Sequence, residues 1–418
     1  MREKLKLYYR CRFTQLSPLR LSGGKNDRTD NDLMLDSRGL PMIPGSALAG
    51  VLRGRLTREE ANLLFGRDTV GDAMTESAVL VGDAALPTDA KVRFTHRDGV
   101  GLDEHKVAVK GAKYDFETAE CTAPYTAVIE WSGWSDDPAL PLLDDLLAGA
   151  TAEGLAFGGR TTRGYGRMTA EVCKKVFRFP TDLDAWLAFD PDAADAFADA
   201  DAVAGHETVP QENVLCAELR MTGSFIVRRY TSDVAVDEDK SGPDYCALEN
   251  GNGRPVLPGT GWAGAFRHHM RAMLDEMGGT AQQKADVNAL FGYSDDGVLK
   301  KRSALAFDET EISGGQAYTL TRNALDRFTA GTASKALYTS CVQQGGQGTL
   351  TIRLRRGALD VFQRQLLGAA LLDLDRGYLT VGGENSVGRG RATITALTLN
   401  GYPLQKEDLL HALAEVEK

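Results

Sequence analysis

Two stretches of this chain combine glycine and arginine in a pattern suited to phosphate. They are Gly158-Gly159-Arg160-Thr161-Thr162-Arg163-Gly164-Tyr165-Gly166-Arg167 and Gly382-Gly383-Glu384-Asn385-Ser386-Val387-Gly388-Arg389-Gly390-Arg391. Glycines let a backbone approach another chain closely and turn its amide N–H groups toward an anion. Arg160, Arg163, Arg167, Arg389 and Arg391 add guanidinium forks that match phosphate oxygens. Neither stretch ends in Gly-Lys-Ser/Thr, so neither is a Walker loop. A plain turn between helix and strand would need only the glycines; that arginines accompany them in both stretches speaks for more. Pro44-Gly45-Ser46 and Pro258-Gly259-Thr260 read as helix starts, with Ser46 and Thr260 as N-cap candidates. The unspent N–H groups there could hold a second phosphate, helped by Arg53 and Arg267, although simple capping accounts for the same residues.

The elements that position these residues recur. Leu40-Pro41-Met42-Ile43-Pro44-Gly45 returns as Arg254-Pro255-Val256-Leu257-Pro258-Gly259, Asn62-Leu63-Leu64-Phe65-Gly66 as Asn288-Ala289-Leu290-Phe291-Gly292, Asp83 as Asp308, and the first glycine loop as the second. The order is kept and the offset drifts only as loop insertions would make it drift, so the chain is a tandem duplication. Each copy opens with an alternating strand (Leu7 to Phe13; Leu215 to Ile226) and continues through the Pro-Gly helix into further strands. A second helix (Pro141 to Leu147; Leu359 to Leu374) precedes the glycine loop and a closing strand. Two helices interleaved with four or more strands predict an α+β, ferredoxin-like (RRM-like) sandwich in each copy.

The 418 residues carry a formal charge of −10, but not evenly. Between Phe179 and Leu219 stand ten acids and no Lys or Arg; without them acids and bases balance at 48 each. This Asp/Ala-rich stretch, with Pro180, Pro191 and Pro210, predicts an acidic interdomain linker over 177–214. It separates domains at 1–176 and 215–418, and either it is simply solvated or it docks a basic neighbour. A short helix around Trp186, Leu187 and Phe197 is compatible with its sequence. No apolar run is long enough to span a bilayer, and Met1 to Lys6 lead into strand-like residues, so the expectation is a cytoplasmic chain with no membrane. Six scattered cysteines without a C-x-x-C pair give neither a disulfide framework nor a zinc site.

In combination, the Leu-Pro-Met-Ile-Pro-Gly-Ser block, the helix ending near Leu64-Phe65-Gly66 and the terminal glycine loop resemble the RAMP superfamily, in particular backbone subunits of type III CRISPR effector complexes. The duplication is similar to the fused double-backbone proteins of type III-D systems. The resemblance implies a subunit that grips a CRISPR guide RNA along its phosphates, with Ser46, Arg53, Arg160, Arg163, Arg167, Thr260, Arg267, Arg389 and Arg391 among its contacts. It implies a protruding thumb hairpin in each copy, placed at Arg97 to Thr122 and Arg322 to Cys341. Lys106, Lys110, Lys113, Arg322, Arg327 and Lys335 are the further contacts expected there. The implied partners are guide RNA, target RNA, other RAMP subunits and a large polymerase-like subunit.

Active members of that family cut the guide-paired target RNA with an aspartate in the loop before the Pro-Gly helix. Registered on that block, the position falls at Asp30, and the constant offset of the helix starts carries it to Asp244. RNA brings its own nucleophile, the ribose 2′-OH, so the protein need supply only in-line geometry, a proton acceptor and neutralisation of the developing charge. A loop carboxylate could be the base, or could anchor Mg²⁺ or another divalent cation. The resemblance thus implies a metal-dependent endoribonuclease with two sites. Asp27, Asp32 and Asp239 stand nearby if the loop register differs, and the acid at Asp36 becomes Asn250 in the second copy. The alternative is an RNA-binding scaffold of the same kind that does not cut. A metal-independent guide-processing ribonuclease fits less well, because His96, His105, His268 and His269 assemble no His/Tyr/Lys trio.

Overall fold

The computed structural model describes residues 2–24, 32–67, 74–103, 107–205, 210–230, 242–295 and 299–417. Its contacts divide the chain into two units. One comprises Met1–Arg97, Tyr114–Thr161 and Tyr165–Pro210, the other Asp98–Lys113, Thr162–Gly164 and Gln211–Lys418.

In the first copy β1 (Lys4–Gln15) is followed by α1 (Gly45–Arg53), α2 (Arg58–Phe65), β2 (Val79–Val81), the long strands β3 (Val92–Leu102) and β4 (Ala108–Cys121), of which Asp98–Lys113 is counted with the second unit, β5 (Tyr125–Trp134), α3 (Ala139–Glu153), β6 (Arg167–Phe179), α4 (Leu183–Leu187) and the two-residue β7 (Asp201–Ala202). The main sheet runs β7-β6-β1-β5-β2, and β3 and β4 form a separate two-stranded sheet. Alternation along β1 decides its faces. Leu5, Leu7, Tyr9, Cys11 and Phe13 turn into a core shared with Leu143 and Leu147 of α3 and Leu48 and Leu52 of α1.

The second unit repeats the plan: β8 (Glu212–Met221), β9 (Arg228–Tyr230), β10 (Tyr245–Ala247), α5 (Gly259–Glu276), α6 (Ala281–Leu290), β11 (Leu305–Phe307), β12 (Gln316–Leu325), β13 (Thr332–Gln344), β14 (Gln347–Arg355), α7 (Val361–Asp375), β15 (Ala392–Leu399), β16 (Tyr402–Leu404) and α8 (Leu409–Glu415). Its main sheet, β11-β14-β8-β15-β16, has the same strand order as the first. In both sheets the opening strand lies antiparallel between the strand after the hairpin and the closing strand. The hairpin β12–β13 pairs from Gln316↔Gln344 out to Leu325↔Thr332.

Two expectations change at the level of elements. Ser46 and Thr260 are not N-caps: Pro44 and Pro258 occupy that position and offer no side-chain cap, which places Ser46 and Thr260 one residue inside the first turn. The side-chain caps sit one helix later, as capping boxes of Thr57 with Glu60 and of Thr280 with Gln283. The acidic stretch is not a free linker either. Tyr8 and Phe177 leave an apolar patch on the outer face of the first sheet, and Phe197, Phe189 and Trp186 cover it. Trp186 Nε1 donates to Tyr8 Oη at 3.0 Å, the Arg10 guanidinium lies 4.8 Å from the Phe197 ring centroid, and Lys175 pairs with Asp199. Aromatic burial holds the segment down while most of its carboxylates remain in water, which composition alone reads as a linker.

Candidate nucleic-acid interface

The two glycine loops share their backbone conformation and hydrogen bonds position by position. Gly158, Arg160, Gly164 and Gly166 have positive φ, and so do Gly382, Glu384, Gly388 and Gly390. Gly159 donates its N–H to the Arg20 carbonyl at 2.7 Å, as Gly383 does to that of Ile226; Gly166 donates to Pro18 as Gly390 does to Ser224. A left-handed Arg160 or Glu384 is strained backbone for a residue with a Cβ, and such strain concentrates at functional loops.

Each loop sits at the base of its hairpin, where arginines and aromatics alternate. In the first unit Arg160 Nη1 donates to Tyr114 Oη at 2.7 Å, with its guanidinium over the Tyr114 and Phe116 rings. Arg20 lies over Phe116 from 4.6 Å. Buried Arg97 lies over Tyr165, donates to its hydroxyl, and stands 3.8 Å from Glu120. Burial, with Arg160 nearby, pushes the pKa of Arg20 below its ordinary value.

In the second unit Glu384 is the hub. Its carboxylate accepts from Arg389 Nε at 2.8 Å, Tyr245 Oη at 3.0 Å, Arg322 at 3.3 Å and Arg228 at 3.4 Å. Burial opposes its charge, yet the bonds from Arg389 and Tyr245 outweigh that and hold it below the usual glutamate range. Arg228 also stacks over the Tyr245 ring at 4.6 Å. Three cations around one anion leave a positive cavity of about 310 Å³, bounded by Arg228, Tyr245, Arg322, Tyr338, Glu384 and Ser386. Arg389 is 1% exposed, and its buried Nη2 has no partner among the described residues.

The sequence-predicted residues divide accordingly. Arg160 and Arg322 lie at these clusters, and Arg389 lies beneath the second one. Lys110 and Arg327 are exposed on the hairpins, and Lys113 stands 3.3 Å from Asp98. Lys106 and the Lys335 side chain lie outside the described residues. Arg167 and Arg391 flank the loops at the feet of β6 and β15; the Arg391 backbone carbonyl accepts from Thr222 N–H. Arg163 donates to the Phe291 carbonyl at 2.6 Å inside the second unit. Arg53 is turned inward onto the end of α2, donating to the Gly66 carbonyl at 3.1 Å and Asn62 Oδ1 at 3.0 Å. Burial, then neighbouring Arg271, lowers the pKa of Arg267.

The expected phosphate pockets at the helix starts are not available as such. Gly45 N–H donates to the Asp83 carboxylate at 2.7 Å, which puts an anion where the phosphate would sit. At Gly259 the Arg163 carbonyl lies against the first turn. Sequence reasoning passed over Arg20, Arg228, Tyr245 and Tyr338. The basic run Arg228-Arg229 following the opening strand was the available signal for one of them.

Asp30 and Asp27 lie outside the described residues, as do Asp239 and the side chain of Asp32. Asp244 is exposed in a bend directly before β10, and Thr339 of β13 donates its N–H to Asp244 Oδ2 at 2.7 Å. Its chain neighbour Tyr245 lines the arginine cavity, while Asp244 itself is exposed and is held through Thr339. Asp36 and Asn250 do the same structural work: each accepts two backbone N–H bonds, from Arg38 and Leu40 and from Asn252 and Arg254. An amide serves that turn as well as an acid, which explains the exchange. His269 pairs with Asp373 at 2.8 Å and His96 with Glu117 at 3.4 Å. Among the described residues no three His, Cys, Asp or Glu side chains gather as metal ligands.

A family model described as the RAMP superfamily matches residues 12–169 and 234–393. These two regions cover most of the chain, and the chain belongs to that superfamily as two tandem RAMP domains of mixed α and β content. Members are generally CRISPR-associated RNA-binding subunits, and some are endoribonucleases. No curated protein matches the chain. No helix among the described residues is long and apolar enough to cross a membrane.

Proposed function

We propose that this chain is a guide-RNA-binding backbone subunit of a type III CRISPR interference complex, a double-backbone fusion of the type III-D kind with two ferredoxin-like domains. On this reading it cuts guide-paired target RNA once per domain, at Asp30 and at Asp244. The observation that carries the reading is the duplicated arginine–aromatic cluster at the base of each hairpin. Guanidinium groups stacked on Tyr114, Phe116, Tyr165 and Tyr245 are held flat, ready to pair with phosphate while neighbouring rings receive a base. Tyr338 and Tyr245 give the second cavity such rings, and Arg389, buried beneath it, holds Glu384 in place through Nε. The partners are guide and target RNA, further RAMP subunits and a polymerase-like subunit.

The chemistry asked of Asp244 is small. Thr339 N–H fixes one carboxylate oxygen, which sets the orientation of the group. The carboxylate accepts the proton of the 2′-OH as its oxygen bonds to the adjacent phosphorus and the P–O5′ bond breaks, leaving a 2′,3′-cyclic phosphate and a 5′-oxygen that takes its proton from water. Arg228 and Arg322 neutralise phosphate charge as it builds. Asp30 and Asp244 would each offer one carboxylate oxygen to a divalent cation such as Mg²⁺, which would supply positive charge against the developing phosphate charge. In a reconstituted complex, Asp30→Ala with Asp244→Ala keeps guide binding and abolishes target cutting. Unchanged cleavage by that double variant returns the chain to the scaffold reading.

A further inference from the structure

The second unit contains an occupied groove of which the first unit holds an open copy. In the second unit the groove lies between the first turn of α5, the end of α6 and the start of β11, and residues 162–164 fill it. Arg163 Nη2 donates to the Phe291 carbonyl at 2.6 Å and Nη1 to Ser303 Oγ at 3.4 Å. Ser303 Oγ is itself anchored to the Leu290 and Leu305 carbonyls. The Arg163 carbonyl lies so close to Gly259 that a Cβ there would stand 2.7 Å from its carbon. In the first unit Gly45, Phe65 and Ser77 replace Gly259, Phe291 and Ser303. Ser77 Oγ makes the matching bonds, to the carbonyls of Leu64 at 3.1 Å and Val79 at 2.7 Å. Here the space is a cavity of about 440 Å³ bounded by Gly45, Ser46, Gly50, Arg53, Phe65 and Ser77.

We infer that this groove on the first unit is a docking site for a glycine-rich loop of another protein chain, one that presents an arginine directly before a glycine as Arg163-Gly164 does. A charge-assisted fork onto the Phe65 carbonyl and Ser77 Oγ is the recognition; a carbonyl oxygen has two lone pairs, so the long 3.5 Å approach of Arg53 to Phe65 leaves room for it. A second copy of this chain is the wrong occupant. Its residues 162–164 already fill the groove of the second unit, to which they belong, and its second loop carries Val387, 57% exposed and without a donor, at the position of Arg163. Asp83, whose carboxylate caps Gly45, disfavours RNA phosphate in the same place. The inference rests on the proposed reading of the chain as a subunit among related subunits.

The probe is a cyclic peptide with the sequence of residues 158–166, titrated calorimetrically into the full chain. Binding is expected, weakened at least ten-fold when the peptide's second arginine is replaced by valine. It should be lost in Gly50→Trp, a change that fills open space on a helix and improves helix propensity. As a gain of function, Val387→Arg should make the chain self-associate with concentration in sedimentation, and adding Gly50→Trp should return it to the original state. Absence of both peptide binding and induced association overturns the inference, as does peptide binding that Gly50→Trp leaves intact. Displacement of the peptide by a single-stranded RNA oligonucleotide would make the groove an RNA site instead. Retained guide-RNA binding without peptide binding defeats this inference alone; peptide binding without guide-RNA binding defeats the reading it rests on.

Discussion

Glu384 shows how one residue sets the character of a site. The αL position that carries Arg160 in the first unit carries a carboxylate in the second, where it gathers Arg228, Arg322, Arg389 and Tyr245. Because its pKa is depressed in the folded state, its contribution to stability is fully present above the unfolded glutamate pKa and is lost as pH falls through the lower, folded value. Urea denaturation between pH 6 and 3 should therefore show the second unit weakening at the acid end. Glu384→Gln should be less stable near neutrality and should lose part of that acid dependence; an unchanged profile would deny Glu384 the role of hub. For the cavity beside it, Arg228→Ala should weaken RNA binding about ten-fold and lower the salt slope of log Kd by about one, as for one phosphate contact. A loss of stability without change in the salt slope would make Arg228 a structural partner of Tyr245 only.

At the scale of elements, the acidic segment is the instructive case. Phe197 is 3% exposed against Tyr8 and Phe177, so Phe197→Ala should destabilise the first unit by about 3 kcal/mol or more. A thermal melt of that variant with the transition unmoved would mean the segment rests on the sheet without stabilising it. The opening strands and the helix before each glycine loop were legible because alternation and Pro-Gly starts are local signals. The helix read from the Pro-Gly start to Phe65, however, is two, α1 and α2, and the strand read over Leu215 to Ile226 ends at Met221. Leu7 to Phe13 extended by only a few residues into Lys4–Gln15, and the helix read at Leu359 to Leu374 is Val361–Asp375. The cover over Tyr8 was not legible, since three aromatics among ten acids look like solvated chain until the apolar outer face they cover is known. The arginine–aromatic clusters were half legible for the same reason: Arg160 and Arg322 stand in recognisable loops and hairpins, while Arg20, Arg228 and Tyr245 reach them only through the fold.

For the whole molecule the consequence of duplication is independence. The two sheets share strand order and the two glycine loops share their hydrogen bonds, yet each unit has its own core and its own cluster of cations. If each unit also carries its own carboxylate, the two cuts in a target RNA are separate events whose rates combine without coupling. Asp244→Ala should then remove one cut position and leave the other at its original rate, with Asp30→Ala giving the reciprocal pattern when the 5′-labelled products of a reconstituted complex are resolved on a sequencing gel. Arg228→Ala, in the same unit as Asp244, should slow the same cut that Asp244→Ala removes, and should leave the other within about two-fold, because sites without shared partners behave additively. Loss of both cuts from either aspartate substitution would show one composite site rather than two, and the duplicated clusters would then be an RNA cradle with the chemistry elsewhere.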